Sequence, residues 1–491
     1  MSSAGGVTPE ERLLIDGELV AAAGGGTFEN VDPTTEEVIG VCADGTAADM
    51  DRAIGAARRA FDTTAWSTDQ DLRARCLRQL HDGLRAHVEE LRETMIAEVG
   101  APRTLTSGPQ LETPIEGVRW VTDLLDGYQW EHDIGRSSHF GIESSRSVRR
   151  EAAGVVGAVT PWNFPMQINL AKVAPALAAG CTVVLKPAPD TPWTATLLGR
   201  IATEETDLPP GVLNVVASAD HGVGALLSSD PRVDVVSFTG STATGQKVMT
   251  AAAANLTRVF LELGGKSAAI VLDDADLATG VGSTAFQVMT HAGQGCAITT
   301  RLVVPRDRYD EAVEIAVATM AAIPYGDPGD PAHLMGPLVS SRQRDRVLGY
   351  IRTGVDEGAQ IATGGGIPSA QPKGWFVEPT VLVNVDEDAT VAQEEIFGPV
   401  LVVQAHDGDD DAVRVANNSR YGLSGAVFGS PERARAVAER VRTGTMAVNG
   451  GLYYGPDVPF GGYKHSGIGR EMGQAGFEEY TEIKSIAVGT R

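Results

Sequence analysis

A strand, a helix and a second strand follow one another in VVGAVTPWNFPMQINLAKVAPALAAGCTVVLKP, residues 155–187. The two apolar runs, Val155–Val159 and Thr182–Leu185, are rich in β-branched residues, and the Ala- and Leu-rich segment 167–179 lies between them. Strands that are apolar along their whole length and alternate with helices indicate a parallel sheet covered on both faces. Nucleotides typically bind such sheets at the carboxyl ends of the strands.

The same alternation continues to about residue 272 and resumes after residue 300. Further strands are predicted at Val212–Val216, Val233–Phe238, Val259–Leu263 and Ala268–Leu272, with helices near 191–205 and 244–254. The second series has predicted strands near 302–304, 379–383, 400–404 and 425–428, and helices near 308–322, 341–357, 410–418 and 431–442. The predicted fold class is therefore α/β, with two α/β domains.

Two segments outside these series have patterns of their own. Apolar residues at spacings of three and four over residues 72–95 predict one helix, which Gly100 ends. Cys76 lies on the apolar stripe of this helix and is predicted to pack in the core. The stretch 130–152 suits neither domain core, and we interpret it as an arm or hairpin.

Composition excludes several classes of function. The chain has 491 residues, with 40 Lys and Arg against 64 Asp and Glu, a net charge of −24. Phosphate backbones and anionic lipids repel such a chain, so we expect no nucleic-acid or membrane partner. The longest nearly apolar stretch, Val173–Leu185, is far shorter than the roughly 20 residues that span a bilayer. With no secretory signal pattern and only four cysteines, we expect a cytoplasmic protein with reduced thiols.

No metal site is predicted. The nine histidines are scattered, and neither HExxH nor a closely spaced pair of cysteines occurs. The GxSxG and GxGxxG motifs are missing too, so a serine hydrolase is unsupported and any dinucleotide needs another kind of turn. The acidic run Asp407–Asp411 indicates a charge cluster at a helix N-terminus rather than a calcium loop.

A candidate phosphate-binding turn is FTGSTATG, residues 238–245. A predicted strand ends there in small residues and a helix begins. The Ser241 hydroxyl and the N-terminal amides of the helix could donate hydrogen bonds to a pyrophosphate, and Gly240 and Gly245 would allow its close approach. An ordinary turn between a strand and a helix is the alternative.

Cys296 is a candidate nucleophile. It ends the loop HAGQGC, residues 291–296, in which glycines flank Gln294. Backbone amides in such a tight turn can lower the pKa of a thiol and expose it. A buried structural thiol is the alternative, although core cysteines rarely lie in a loop of this composition.

Glu262 is a candidate general base. It interrupts the apolar run VFLEL, residues 259–263, and two glycines follow. Burial of a carboxylate raises its pKa towards the range that suits a general base. An ion pair with Lys266 or another cation is the alternative.

Asn163 is a candidate oxyanion-stabilising residue in PWNFP, residues 161–165. The two prolines fix the backbone, so the amide N–H group of Asn163 can be presented rigidly to a cleft. A plain aromatic-proline turn is the alternative. A thiol, an amide donor, a base and a dinucleotide turn are together the parts needed to oxidise an aldehyde through a thioester.

These segments resemble, in order and spacing, the aldehyde dehydrogenase superfamily. The similar stretches are PWNFP (161–165), LKPAPDTP (185–192), FTGSTATG (238–245), LELGGKS (261–267), GQGC (293–296), EEIFGPV (394–400) and PFGGYKHSGIGRE (459–471). The resemblance implies two Rossmann-like domains and a small β element that bridges subunits of a homodimer or homotetramer. The implied ranges are 1–129 with 153–263 for dinucleotide binding, 264–463 for catalysis, and 130–152 with 464–491 for bridging.

The resemblance also assigns chemical roles. Cys296 is similar to the nucleophile that forms a thiohemiacetal and then a thioester, and Asn163 would hold the oxyanion with the Cys296 backbone N–H. Glu262 is similar to the base that activates water for release of the acid. Lys172 and Glu471 match a pair that relays protons behind it.

The implied cofactor is NAD, and NADP is also admitted. The implied cofactor contacts are Trp162, Lys186, Thr239, Gly240, Ser241, Gly245, Leu263, Glu395 and Phe397. Lys186 and Glu395 would hold the two riboses. Family members that prefer NAD often carry an acidic residue at the position of Pro189, where it would repel a 2′-phosphate, and that carboxylate is missing here.

The implied substrate residues are Phe164, Gln167 and Phe460, with Ile168 as a further candidate. None of them is a cation, which favours an uncharged aliphatic or aromatic aldehyde. Two other functions stay open: transfer of the thioester to coenzyme A, and a catalytically silent binding protein on the same scaffold. Glu262 favours water as the acceptor, because a base that deprotonates water has no clear purpose in transfer to coenzyme A.

Overall fold

The computed structural model describes Val7 and residues 9–489. Its strands are β1 (Leu13–Ile15), β2 (Glu18–Val20), β3 (Thr27–Val31), β4 (Val38–Ala43), β5 (Glu131–His139), β6 (Ile142–Ala152), β7 (Val155–Val159), β8 (Thr182–Lys186), β9 (Leu213–Val215), β10 (Val235–Thr239), β11 (Arg258–Glu262), β12 (Ala268–Val271), β13 (Arg301–Pro305), β14 (Gln360–Thr363), β15 (Thr380–Val383), β16 (Val400–His406), β17 (Gly425–Phe428), β18 (Ala447–Val448), β19 (Gly467–Ile468) and β20 (Thr481–Gly489). The predicted α/β class is confirmed.

The α-helices cover the faces of the sheets or connect them. They are α1 (Ala47–Thr63), α2 (Gln70–Ala86), α3 (Val88–Val99), α4 (Arg103–Thr106), α5 (Glu112–Gly127), α6 (Pro165–Ala179), α7 (Trp193–Glu204), α8 (His221–Ser229), α9 (Thr242–Ala252), α10 (Leu277–Met289), α11 (Tyr309–Ala322), α12 (Ser341–Asp356), α13 (Thr390–Gln393), α14 (Asp409–Asn417), α15 (Pro431–Ala438) and α16 (Gly473–Glu478). None of the described helices is long and apolar enough to cross a membrane.

The first sheet has eight strands in the order β2, β1, β9, β8, β7, β10, β11, β19. The five strands from β9 to β11 run parallel, and β1, β2 and β19 extend the edges in antiparallel fashion. From β7 the chain proceeds to β8 and β9 on one side and later to β10 and β11 on the other. A crevice forms where the strand order reverses in this way, so the loops after β7 and β10 border a natural ligand site.

The second sheet has seven strands in the order β14, β15, β16, β13, β12, β17, β18. All of them run parallel except β14. Only residues 263–267 separate β11 of the first sheet from β12 of the second, so the chain passes directly from one sheet to the other within the LELGGKS motif. The predicted domain boundary falls in this link, and the domain division itself stays a prediction.

The segment 130–152 forms the hairpin β5–β6, and β20 adds a third strand beside β6. The segment 464–491, which was predicted to accompany it, is divided. Gly467 and Ile468 pair instead with β11 at the edge of the first sheet, because the Leu263 N–H donates to the Ser466 carbonyl and holds this stretch there. Residues 1–6, 8, 490 and 491 of the predicted ranges lie outside the described residues.

The single helix predicted over residues 72–95 is wrong, because two helices, α2 and α3, meet at His87. The backbone of His87 (φ −102°, ψ 15°) interrupts the first helix, yet Leu84 and Leu91 on either side pack into the same core. The apolar spacing therefore runs across the break and conceals it. Gly100 ends α3 in the left-handed conformation (φ 70°), and Cys76 is buried in the core, as predicted.

Candidate active site

A cavity of about 190 Å³ opens where the loops after β7, β10 and β11 face the loop before β13 and helix α12. Eleven of the predicted site residues line it: Trp162, Asn163, Ile168, Thr239, Gly240, Ser241, Glu262, Leu263, Cys296, Glu395 and Phe397. The carboxyl ends of parallel strands bring these side chains together from positions far apart in the sequence.

Cys296 is the one partly exposed cysteine of the four, since Cys42, Cys76 and Cys181 are buried. The loop before it is tightly constrained: His291 and Ala292 both adopt positive φ angles, of 51° and 52°. Such strained backbone at non-glycine residues is typical of functional sites. The alternative of a buried structural thiol is therefore not supported by the position of Cys296.

Glycines allow the backbone around Cys296 to pack this closely. Gly293 has a φ of 71°, and a Cβ there would overlap the carbonyl oxygen of Gly398. A Cβ on Gly265 would lie 2.6 Å from the carbonyl oxygen of Cys296 itself. The glycines of GQGC and LELGGKS thus let the thiol loop lie directly against the link between the two sheets.

The environment of Cys296 raises the pKa of its thiol. Burial is the largest cause, and the carboxylates of Glu395, Glu262 and Glu471 add to it. Turn amides were expected to lower this pKa, but burial outweighs them and the three carboxylates add to its effect. The thiolate is the nucleophilic form, so the thiol loses its proton as it attacks an electrophile.

Asn163 is held rigidly beside this loop. Its side chain is buried, and its Nδ2 donates to the carbonyl oxygen of Gln294 at 2.8 Å, while its own carbonyl accepts from Gln110 Nε2 at 2.9 Å. Gln294 is fully buried, and its Oε1 accepts from the Val339 N–H at 3.0 Å. A second N–H of the Asn163 amide remains available for the cavity.

Glu262 ends β11 and faces the same cavity. Its side chain is 3% exposed, and neither carboxylate oxygen has a hydrogen-bond partner among the described residues. Burial, followed by the charge of Glu471, raises the pKa of Glu262 well above its usual range. The alternative of an ion pair with Lys266 is wrong, because the Lys266 ammonium also has no partner in the described part of the chain.

Behind Glu262 lies a fully buried ion pair. The Lys172 ammonium lies 2.6 Å from Glu471 Oε1 and donates to Ser237 Oγ at 2.9 Å. The charge of Lys172 lowers the pKa of Glu262, while that of Glu471 raises it. The two charges therefore tune the carboxylate that faces the cavity.

The turn after β10 has the features of an anion-binding site. Ser241 is the N-cap of α9, where its Oγ accepts from the Thr244 N–H at 3.2 Å. Thr239 Oγ1 is buried and has no partner within the described residues. A Cβ on Gly245 would lie 2.6 Å from the Leu263 side chain, so the helix begins close to the sheet. Free amides and hydroxyls at a helix N-terminus suit a pyrophosphate.

A second wall of the cavity carries Glu395 and Phe397. Glu395 Oε1 accepts from the Gly265 N–H at 2.9 Å, and burial raises the pKa of Glu395 to about 7. Phe397 has a positive φ of 62° and packs edge-to-face on Trp162, with ring centroids 5.4 Å apart. Both residues are thereby fixed opposite the turn after β10.

The model of one protein family, described as the aldehyde dehydrogenase family, matches residues 19–486. The chain belongs to the aldehyde dehydrogenase family. A 3-succinoylsemialdehyde-pyridine dehydrogenase from a Pseudomonas species is 44% identical over 479 residues, which cover 96% of this chain and 98% of that protein. The present chain is therefore an enzyme that oxidises aldehydes with NAD through a catalytic cysteine, as the resemblance in the sequence implies.

Two crystal structures show how closely this aldehyde dehydrogenase follows its family. Betaine aldehyde dehydrogenase from Staphylococcus aureus, in complex with NAD⁺, has a TM-score of 0.94 and 36% identity, with coverage of 98% of this chain and 94% of that chain. A cysteine-to-alanine mutant of aldehyde dehydrogenase C from Pseudomonas syringae, with NAD⁺ and octanal, has a TM-score of 0.92 and 39% identity, with coverage of 99% and 98%. NAD is confirmed as the cofactor.

Lys186 of the dehydrogenase lies outside the central cavity, in a neighbouring cleft. It lines this cleft with Phe238, His221 and Lys247, and burial lowers its pKa to about 8. This cleft lies next to the turn after β10, so the cleft and the central cavity together can hold an extended dinucleotide. That the enzyme also accepts NADP stays a prediction, which is based on Pro189 at the position of an acidic residue.

The predicted substrate residues of the dehydrogenase take three different places. Gln167 lines an apolar cleft beside α5 and α6, together with Trp120 and Tyr454. Phe164 packs edge-to-face on the ring of His291, next to the cysteine loop. Phe460 is nearly buried, and its backbone exchanges two hydrogen bonds of 2.7 Å with Glu471. Its predicted role in substrate binding stays a prediction.

The sequence alone did not reveal several residues of the dehydrogenase site. Gln343 donates to the Phe397 carbonyl at 2.7 Å, and Arg346 donates to the Glu395 carbonyl at 2.8 Å. Both lie on α12, whose polar residues look like those of any exposed helix. Ser237, which accepts a hydrogen bond from Lys172, interrupts an apolar strand, as Glu262 does. This polar interruption could have been recognised in the sequence.

Proposed function

We propose that Cys296 is the nucleophile of this dehydrogenase, that Asn163 stabilises the oxyanion and that Glu262 activates water, so that the product is a free carboxylic acid. The observation that carries this proposal is the shared cavity: a partly exposed thiol and a buried carboxylate without hydrogen-bond partners line it together. Such a carboxylate is suited to a general base.

In this mechanism the Cys296 sulfur bonds to the aldehyde carbon while the thiol proton passes to solvent, and the carbonyl oxygen becomes the oxyanion held by the Asn163 amide. When bound, NAD⁺ would supply the acceptor for the hydride that leaves this carbon as the oxyanion collapses to the thioester carbonyl. Glu262 then removes a proton from water, whose oxygen bonds to the thioester carbon and expels the Cys296 sulfur. Thr239, Ser241 and the N-terminus of α9 would hold the pyrophosphate, since Thr239 Oγ1 has no partner among the described residues and a helix N-terminus attracts anions.

We infer that the substrate is an uncharged, largely apolar aldehyde. The cleft that Gln167 lines is formed mainly by apolar groups, including Trp120, Leu170 and Met472, and no charged side chain of the described residues lines it. The side chains of Tyr454 and Thr113 also line it and add two hydroxyl groups. The Pseudomonas syringae relative was crystallised with octanal, an aldehyde of this class.

A substrate panel tests the acceptor and the substrate class together. We expect kcat/KM for octanal to exceed that for betaine aldehyde and succinate semialdehyde by roughly 10- to 100-fold, since burial of a charge in an apolar cleft is costly. Coenzyme A is expected to leave the rate unchanged, with free octanoic acid as the product. An acyl-coenzyme A product, or a preference for either charged aldehyde, would contradict the inference.

The substitution Gly117→Asp extends this test within the same cleft. Gly117 lines the cleft, and a Cβ there has open space, its nearest neighbour being Pro456 at 3.8 Å. We expect the new charge to lower kcat/KM for octanal by roughly tenfold and to change that for propanal little. Gly127→Asp is the matched control, because Gly127 ends the same helix in open space; equal losses in both variants would argue against a substrate cleft here.

We propose further that Lys172 and Glu471 set the pKa of Glu262. Removing the negative charge by Glu471→Gln lowers this pKa, so the acid limb of the kcat profile is expected to move to lower pH. Removing the positive charge by Lys172→Met raises it, so the limb moves to higher pH. Each shift should be roughly one pH unit. If the acid limbs of the kcat profiles stay in place, or move in the same direction in both variants, Lys172 and Glu471 do not set the pKa of Glu262.

The oligomer and the location are proposed on other grounds. We propose a homodimer or homotetramer assembled through the sheet of β5, β6 and β20, which exposes Ile142, Ile483 and Val488. Exposed apolar residues on a sheet with a free edge are typical of an interface.

A cytoplasmic location is consistent with four cysteines that form no disulfide.

A further inference from the structure

A small cavity borders the link between the two sheets at Lys266 and Ser267. Its polar lining includes Lys266, Ser267, Arg301, Tyr421, Arg442 and Thr443. It has a volume of about 10 Å³, which is room for one particle of the size of a water molecule. The cavity is separate from the space that holds Cys296 and Glu262.

Two donors in this cavity lack partners. The Lys266 side chain is 1% exposed and the Ser267 side chain 4% exposed. Neither Lys266 Nζ nor Ser267 Oγ has a hydrogen-bond partner among the described residues. A buried ammonium without a partner is costly, so native proteins almost always compensate one. These adjacent donors therefore indicate a ligand.

The surrounding charges are positive. The guanidinium of Arg301 is buried and donates to three carbonyls, those of Lys266, Val415 and Ala416, at 2.8–3.0 Å. Carbonyl acceptors satisfy its N–H groups without neutralising its charge. Neither Lys266 nor Arg301 forms an ion pair within the part of the chain that the structure describes. The exposed Arg442 adds a third cation at the mouth.

We propose that this cavity binds a monatomic anion, with chloride as the physiological occupant, between Lys266 Nζ and Ser267 Oγ. The small volume of the cavity favours a monatomic anion over phosphate, sulfate and carboxylates, which have several heavy atoms. An anion there accepts hydrogen bonds from both unpartnered donors and compensates the ammonium and the Arg301 guanidinium. Among the described residues the Glu395 carboxylate also acts on the Lys266 ammonium, but no hydrogen bond or ion pair joins the two side chains.

Binding is coupled to protonation of Lys266. Burial and the charge of Arg301 lower the pKa of Lys266 to about 7, and the carboxylate of Glu395 opposes this. The other charged or titratable groups that line the cavity are Arg442 and Tyr421. Only the ammonium form attracts an anion, so chloride binding is expected to weaken as the pH rises through about 7.

Thermal unfolding at constant ionic strength tests the proposal, with sodium gluconate replaced stepwise by sodium chloride. At about pH 6 we expect Tm to rise saturably by about 1–3 °C, and at about pH 9 by much less. In Lys266→Met the response is lost. Lys373→Met is the matched control, because Lys373 is exposed and pairs with Glu37, and it should keep the full response.

Crystals of the unsubstituted enzyme soaked in bromide give a readout that does not depend on the folding of any variant. We expect an anomalous peak within hydrogen-bond distance of Lys266 Nζ and Ser267 Oγ. A cavity that holds only water, together with equal Tm values in chloride and gluconate, would overturn the proposal. It would then follow that Lys266 is neutral in the folded protein.

Discussion

Replacing Cys296 by alanine is expected to abolish aldehyde-dependent formation of NADH, with kcat lowered by roughly 10⁴-fold or more. Alanine removes the sulfur and leaves the cavity otherwise intact, so NAD⁺ binding should persist. The measurement is NADH absorbance with octanal, together with a NAD⁺ titration followed by protein fluorescence.

Cys76→Ala is the matched control for this substitution. Cys76 is buried in the core of the first sheet's helices, and burial raises the pKa of its thiol to about 11. We expect this variant to lose some stability, because a buried sulfur is removed, and to keep its turnover. A Cys296→Ala enzyme that turns over at the normal rate would show that the nucleophile has been misassigned.

Replacing Glu262 by glutamine is expected to separate the two halves of the reaction. Attack by Cys296 and formation of NADH should continue for one turnover, while release of the acid slows by roughly 10²- to 10⁴-fold. Glutamine keeps the shape of the side chain and cannot accept a proton from water. Rapid mixing with NAD⁺ and octanal should therefore show a burst of NADH close to one equivalent of enzyme.

The size of the burst decides the role of Glu262. If the burst and the steady-state rate disappear together, Glu262 acts earlier, as the group that accepts the thiol proton, since that thiol has a raised pKa. If neither changes, water is activated by another group. Unfolding temperatures of the variant and the parent enzyme should be compared, because Glu262 lies at the end of a central strand.

The sequence was sufficient to predict the sheets and to select residues that the structure brings together around one cavity. Apolar runs such as Val155–Val159 mark parallel strands, and the polar interruption at Glu262 marks a position that faces this cavity. Parallel strands end at one edge, so residues distant in the sequence, such as Asn163 and Thr239, come together there.

Other features depend on contacts that no local pattern records. The break at His87 is invisible because the apolar stripe continues past it. The raised pKa of the Cys296 thiol depends on carboxylates from three other segments. Gln343 and Arg346 act through backbone carbonyls, which any polar helix can reach once it is placed beside them. Only the tertiary structure makes such residues recognisable.

The most direct measurement is the covalent state of the enzyme during the reaction. Glu262→Gln enzyme is mixed with NAD⁺ and octanal, quenched in acid and digested, and its peptides are analysed by mass spectrometry. We predict an octanoyl group on the peptide that contains Cys296, in an amount equal to the burst of NADH. A full burst with that peptide unmodified, or with the octanoyl group on another residue, would contradict a thioester at this cysteine.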